Sequence, residues 1–185
     1  TTGTATFNDK VQLELKPFPG VMGVAPATDE MLSTIPPRAN GGNMDDPNLT
    51  KGTTVYFPIF VKGALFSIGD AHAIQGLGEV CGTAIEAPMT ITYRLRVLKN
   101  KPAIKEPQYE KDDIYAVTGF GETIDIATKK AVNYMIDHLI NNYDITAEDA
   151  YMLCSLVGDL HIAEVVDVPN MLVTMHFPKS VLEQL

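Results

Sequence analysis

The chain reads as a mainly β protein with a small α+β portion at its C-terminal end. Three observations give that reading. Apolar and polar residues alternate with period two before residue 100, in Val11–Leu15 and again in Met89–Leu98. Gly and Pro punctuate the intervening sequence, as at Pro17-Phe18-Pro19-Gly20 and Gly76-Leu77-Gly78. Further on, apolar residues recur at helical spacing, as in Ala127, Ala131 and Met135. The expected division is a β-rich part over residues 1–113 that carries the functional residues, then an α+β part over 114–185 with two helices and two or three strands.

Val11-Gln12-Leu13-Glu14-Leu15 has the pattern of a half-buried strand. Pro17–Gly20 reads as a turn into the apolar Val21–Ala25. Residues 33–50 carry Pro36, Pro37, Gly41, Gly42, Pro47, Asn40, Asn43, Asp45 and Asp46, a composition that predicts a long irregular surface loop. Thr53–Phe60 and Ala64–Ile68 read as strands about a Lys62-Gly63 turn, Met89–Leu98 as an amphipathic strand, and Asn100–Asp113 as an exposed connection. Asp125 can cap a helix to about Asn142, and Thr146-Ala147-Glu148-Asp149 resembles a capping box for a helix ending near Val157, with Gly158 as its C-terminal cap. His161–Val168 and Met171–Phe177 complete the chain as strands joined by Pro169-Asn170.

The balance of 14 basic and 23 acidic residues gives a net charge of −9, which argues against a nucleic-acid partner. No apolar run is long enough for a membrane-spanning helix, and Thr1–Thr6 lack the pattern of a signal peptide. Cys81 and Cys154 form no disulfide framework, so reduced thiols and a cytoplasmic location are expected. The first residue is Thr rather than Met, which reads as a processed, trimmed or partial chain.

Chemistry concentrates in Gly69–Glu86. Asp70 and His72 stand two apart at the end of an apolar run, so an extended backbone sends both side chains to one face. Such a pair can contribute an oxygen and an imidazole nitrogen to one divalent metal. Gln75-Gly76-Leu77-Gly78 makes a tight turn, after which Glu79, Cys81 and Thr83 share a face and Glu86 takes the other. Glu79 is then the acid that faces Asp70 and His72. The plainer alternative is a hydrogen-bonded histidine at a strand end, a hairpin, and Cys81 as a small buried hydrophobe. Asn40–Asp46 is a second polar cluster, in which amides freed by Gly41 and Gly42 could meet an oxyanion. His138, His161 and His176 read as structural.

Taken together, Pro17–Pro26, Asn40–Asp45, Gly63–Phe66, Gly69–Ala73, Gln75-Gly76 and Gly78–Glu86 resemble the acetamidase/formamidase family of small-amide hydrolases. The resemblance implies a distorted β-sandwich or barrel, hydrolysis of formamide or acetamide to carboxylate and ammonia, and a cytoplasmic homo-oligomer. Family members usually read Gly-Asp-Gly-Glu where this chain has Gly76-Leu77-Gly78-Glu79. They also carry a further N-terminal region, so the chain resembles their C-terminal three-fifths, and part of the site could come from outside it. On this reading Asp70 and His72 hold a divalent metal, zinc first and calcium second. Glu79 is the general base and then the acid, while Asn43 and Gln75 hydrogen-bond the amide. Three other readings stand beside it: Cys81 as nucleophile with Glu79 or Glu86 as base, a non-catalytic β-domain holding structural calcium at Asp45 and Asp46, and an inactive fragment of an amidase.

Overall fold

The structure is a computed structural model that describes residues 3–185. Its strands are β1 (Thr4–Phe7), β2 (Val11–Glu14), β3 (Phe18–Gly23), β4 (Gly41–Asn43), β5 (Thr54–Tyr56), β6 (Ser67–Ile74), β7 (Ile85–Glu86), β8 (Gln108–Lys111), β9 (Ile114–Gly121), β10 (Asp159–Glu164) and β11 (Met171–Pro178). The helices are α1 (Ile124–Asn142), α2 (Ala147–Val157) and a short α3 (Lys179–Leu182). The fold is mostly β, as expected, and every ladder between strands is antiparallel.

A five-stranded sheet runs in the order β10-β11-β9-β8-β5, a four-stranded sheet in the order β4-β3-β6-β7, and β1 and β2 form a separate hairpin. The residue-113 division falls in the β8–β9 turn, so both parts of the chain supply strands to the larger sheet. Alternation along β9 and β11 explains the layering. Val117, Val173, Met175 and Phe177 point to a core shared with Ala127, Ala131, Met135 and Leu139 of α1. Ala116, Phe120 and Leu172 face the opposite core, with Met22 of β3, Met44 and Leu49. The larger sheet is therefore covered by helices on one side and by the smaller sheet on the other.

The helix expectations hold closely, with the α1 cap at Thr123 rather than Asp125; its side chain accepts from the Ile126 amide. Thr146 caps α2 by accepting from the Asp149 amide. Several strand expectations change. Pro17–Gly20 does not turn: Phe18 begins β3, and Pro19 lies beyond the residues that β4 pairs, where a missing N–H is tolerated. Thr53–Phe60 and Ala64–Ile68 are not partners, because β5 joins the larger sheet and β6 the smaller. Asn100–Asp113 is not merely a connection, since it contains β8 and the fully buried Tyr109. Met89–Leu98 joins no ladder among the described residues, and Tyr93, Leu95 and Val97 stand exposed. Residues 33–50 form a folded segment containing β4, with Met44, Asp45, Asp46 and Leu49 buried.

Gly119 lets α1 lie against the larger sheet. A Cβ there would come within 2.6 Å of the Ala131 amide nitrogen and closer still to the Ala127 carbonyl oxygen. Gly119→Ala is therefore expected to destabilise the fold by about 1–3 kcal/mol, the usual penalty for overpacking. Chemical denaturation of the variant beside the parent chain measures it.

Candidate functional site

Asp70 and His72 lie within β6 rather than at its end, because the strand continues to Ile74. His72 pairs with Phe18 on one side and Glu86 on the other. Its ring is buried and meets the Phe18 ring edge-on, with centroids 5.1 Å apart. Nε2 lies 3.4 Å from Asp70 Oδ1 and 3.2 Å from Glu86 Oε1. Parity alone turned Glu86 away. In fact residues 78–84 form no strand, and the β6–β7 register shifts between His72 and Ile74, so Glu86 faces the imidazole.

Gln75 ties the imidazole to Asp45. Its Nε2 donates to the Asp45 carbonyl oxygen at 2.6 Å, which leaves Oε1 as the acceptor 2.8 Å from His72 Nδ1. Nδ1 then carries the proton, and the Nε2 lone pair faces Asp70 and Glu86. Gln75 is thus placed as a strut, with both ends of its amide engaged inside the protein. The Asp45 carboxylate reaches within 3.6 Å of Nδ1, and its Oδ1 is buried with no hydrogen-bond partner. Gly20 leaves room for this assembly. A Cβ on it would strike Asp45 Oδ1 and come within 2.8 Å of His72 Cε1 and 2.9 Å of Asp70 Oδ2.

Asp45 also belongs to a second group. Oxygens of Asp45, Glu79 and Asp167 lie within 4.8 Å of one another, as do the ligand atoms of Asp45, Asp70 and His72. The Gly76–Gly78 turn brings Glu79 there by docking on β10: Gly78 donates to the Ala163 carbonyl oxygen at 2.8 Å, and the Val165 amide donates back at 3.2 Å. Asn43 Nδ2 donates to Asp167 Oδ2 at 2.6 Å. Behind Asp167, Glu164 Oε1 accepts from the amides of Val166 and Asp167, while its buried Oε2 has no partner.

This crowding sets the protonation. Burial first, then the charges of Glu79, Asp167 and Asp70, push the Asp45 carboxyl up to about 8. Burial also raises Glu164 to about 7, and raises Glu79 and Asp167. Asp45, Asp70 and Glu79 hold φ of 43°, 53° and 45°, a left-handed region that side chains other than glycine seldom adopt and that often marks functional positions.

Other expected residues lie elsewhere. Asp46 Oδ1 accepts from the Asn48 amide and side chain, its Oδ2 is buried without a partner, and among the described residues it belongs to neither metal-capable group. Cys81 is exposed rather than buried and belongs to neither metal-capable group. His176 is hydrogen-bonded to the Tyr109 hydroxyl at 2.8 Å and stacked on His161, outside the site.

The profile of the Acetamidase/Formamidase family matches residues 27–184. The chain belongs to that family. It is 33% identical to a formamidase of Methylophilus methylotrophus over 178 residues, 85% of this chain and 44% of the relative. The crystal structure of an acetamidase from Bacillus halodurans matches 98% of this chain with a TM-score of 0.85 at 28% identity, covering 61% of its own length. The corresponding figures for a predicted acetamidase/formamidase from Thermoanaerobacter tengcongensis are 98%, 0.88, 32% and 60%. The chain thus spans less than half of the curated formamidase and about three-fifths of these solved family members.

Two outcomes follow from the geometry of this family member. Gly20→Ala is expected to displace Asp45 and His72 and to destabilise the fold by about 1–3 kcal/mol, the usual penalty for overpacking, as read by chemical denaturation. The second concerns pH. In the ion-free protein, Asp45 and Glu164 retain protons that the unfolded chain, with ordinary carboxyls near pH ~4, has lost, so stability falls as pH rises through the folded values. His138 and His176, held near 4 by burial, work in the other direction, but their effect is half gone at about pH 6.5 and fades further as the unfolded imidazoles lose their protons above it. The melting temperature should therefore decline between about pH 6.5 and 8.

Proposed function

We propose that this chain carries the reactive centre of an amide hydrolase that cleaves small primary amides to a carboxylate and ammonia. The observation that carries the reading is the sharing of Asp45 between an imidazole–carboxylate group and the Glu79–Asp167 pair. A metal-capable face and carboxyls that burial raises above their ordinary values thereby meet in one place.

A divalent cation fits the first group. The Nε2 lone pair faces two carboxylates, and Asp45 Oδ1 is buried without a hydrogen-bond donor. His72, Asp70 and Asp45 would hold the ion, with Glu86 beside them. An imidazole nitrogen among the donors favours zinc over calcium, whose sites are built from oxygen. Such an ion supplies a Lewis acid for the carbonyl oxygen and the attacking water. Glu79 takes the proton from that water as it adds to the carbonyl carbon. It then returns the proton to the nitrogen as the C–N bond breaks, so ammonia leaves with the carboxylic acid, whose remaining proton passes to the ammonia to give carboxylate and ammonium. Burial raises the Glu79 carboxyl above its ordinary value, the direction that suits a group acting first as base and then as acid. Asn43, beside Asp167, presents a polar group to the amide, while Gln75 keeps the imidazole in the required tautomer.

Ammonia release from acetamide together with zinc content tests this. Asp70→Ala and His72→Ala should lose both. Glu79→Gln should retain zinc while kcat falls by about 10²–10⁴. Cys81→Ala should leave the rate near normal, since a thiol nucleophile is not required. Full turnover by a metal-free preparation would overturn the reading.

A further inference from the structure

Three strands of the smaller sheet place Asn43, Val21 and Gly69 in one register row. Side chains in such a row share a face of the sheet, opposite the face on which Met22 enters the core. A shallow, largely open cavity of about 430 Å³ lies over this row, its lining including Val21, Thr34, Ile35, Asn43, Gly69 and Asp70. Asp70 marks the end at the imidazole and acid cluster. Val21 and Ile35 make an apolar wall, and Ile35 is 60% exposed at the rim. The rim is fixed: Arg38 Nη1 donates to the carbonyl oxygens of Ser33 at 2.7 Å and Pro36 at 3.0 Å, and Asn170 Nδ2 donates to that of Pro37 at 2.8 Å.

Unlike Gly20, which the site's own side chains crowd, Gly69 lies in open space, as does Gly76 in the turn before Glu79. The φ of Gly69 lies outside the left-handed region, and a Cβ on it would meet nothing within 4 Å. Neither backbone conformation nor packing calls for glycine there. Glycine inside a strand weakens it and often marks a close approach by a ligand. The space above Gly69 continues into the cavity, whose volume falls in the range of small-molecule sites and exceeds what a methyl group fills.

We propose that this cavity is the acyl subsite and that Gly69 is a specificity-determining position, giving preference to primary amides with a three- or four-carbon acyl chain over acetamide. The proposal rests on the amide-hydrolase reading above. With the carboxamide at Asp70 and His72, the acyl chain crosses Gly69 and reaches Val21 and Ile35. Gly69→Val would fill the crossing without backbone strain, because a β-branched residue suits an extended strand.

The test compares kcat/KM for acetamide, propionamide and butyramide in the parent chain, Gly69→Val and Ile35→Ser. In the parent chain kcat/KM should rise about fourfold for each added methylene. Gly69→Val should lower the butyramide-to-acetamide ratio by about tenfold, and Ile35→Ser should lower it in the same direction. A purely structural defect would depress both amides in parallel and leave the ratio unchanged. Because Ile35 is exposed, its variant keeps the test available if Gly69→Val does not fold. Acetamide turnover with no gain for butyramide, or a ratio unmoved by both variants, overturns the subsite while leaving the amide-hydrolase reading intact. Absence of turnover on every amide overturns that reading first.

Discussion

Much of the smaller sheet is organised around one constraint, the burial of the Asp45 carboxyl among other carboxyls. Such a group cannot be both charged and uncompensated, so it holds a proton or faces a cation. Asp45 lies between two triads, and whichever compensation it takes is felt by His72 on one side and Glu79 on the other. Gly20 is bare because a side chain would occupy this space; its carbonyl accepts from the Asp45 amide, and the Asp45 carbonyl in turn accepts from Gln75. Left-handed backbone at three of the acids is a local cost that the packed surroundings sustain.

Those surroundings come from distant parts of the chain. β3, β4 and β6 bring Gly20, Asp45 and the Asp70–His72 pair together, whereas Asp167 and Glu164 arrive from the end of β10 and the segment after it. The site therefore sits where the smaller sheet meets the edge of the larger one, and the Gly78 contact with β10 fastens that seam. A shift of either sheet would separate Glu79 from the imidazole. This makes the core of Met22, Met44, Phe120 and Leu172, which holds the sheets together, part of the support of the site.

The sequence was legible where its signal was local. The Asp70–His72 spacing marked two side chains that do meet, although Asp70 is left-handed rather than extended; the helical period after Thr123 marked α1, and the glycines at 76 and 78 marked the turn that carries Glu79. It was not legible where the determining contact lies far along the chain. Asn40–Asp46 looked like a solvated loop because Gly, Asn and Asp are common on surfaces, and only the β3–β4 pairing buries it. Asp167 and Glu164 had no local signal, since two acids near a strand end are ordinary. Glu86 was turned away by counting parity through a segment that is not a strand. Met89–Leu98 has the pattern of a strand, but a pattern supplies no partner, and none of the described residues pairs with it.

Gly20 and Gly69 show why composition alone could not separate site from scaffold. They sit on adjacent strands, with Val21 of β3 opposite Gly69 of β6, and in the sequence each is simply a glycine in an apolar run. At Gly20 the missing Cβ is demanded by three side chains that would collide with it. At Gly69 nothing would collide, and the missing Cβ leaves a space continuous with the cavity. The first glycine is explained by the protein's own packing. The second has no such explanation among the described residues, and the proposed acyl subsite supplies one. Because the two strands are in register, an occupant above Gly69 also lies next to Asp70, and the space and the chemistry belong to one site.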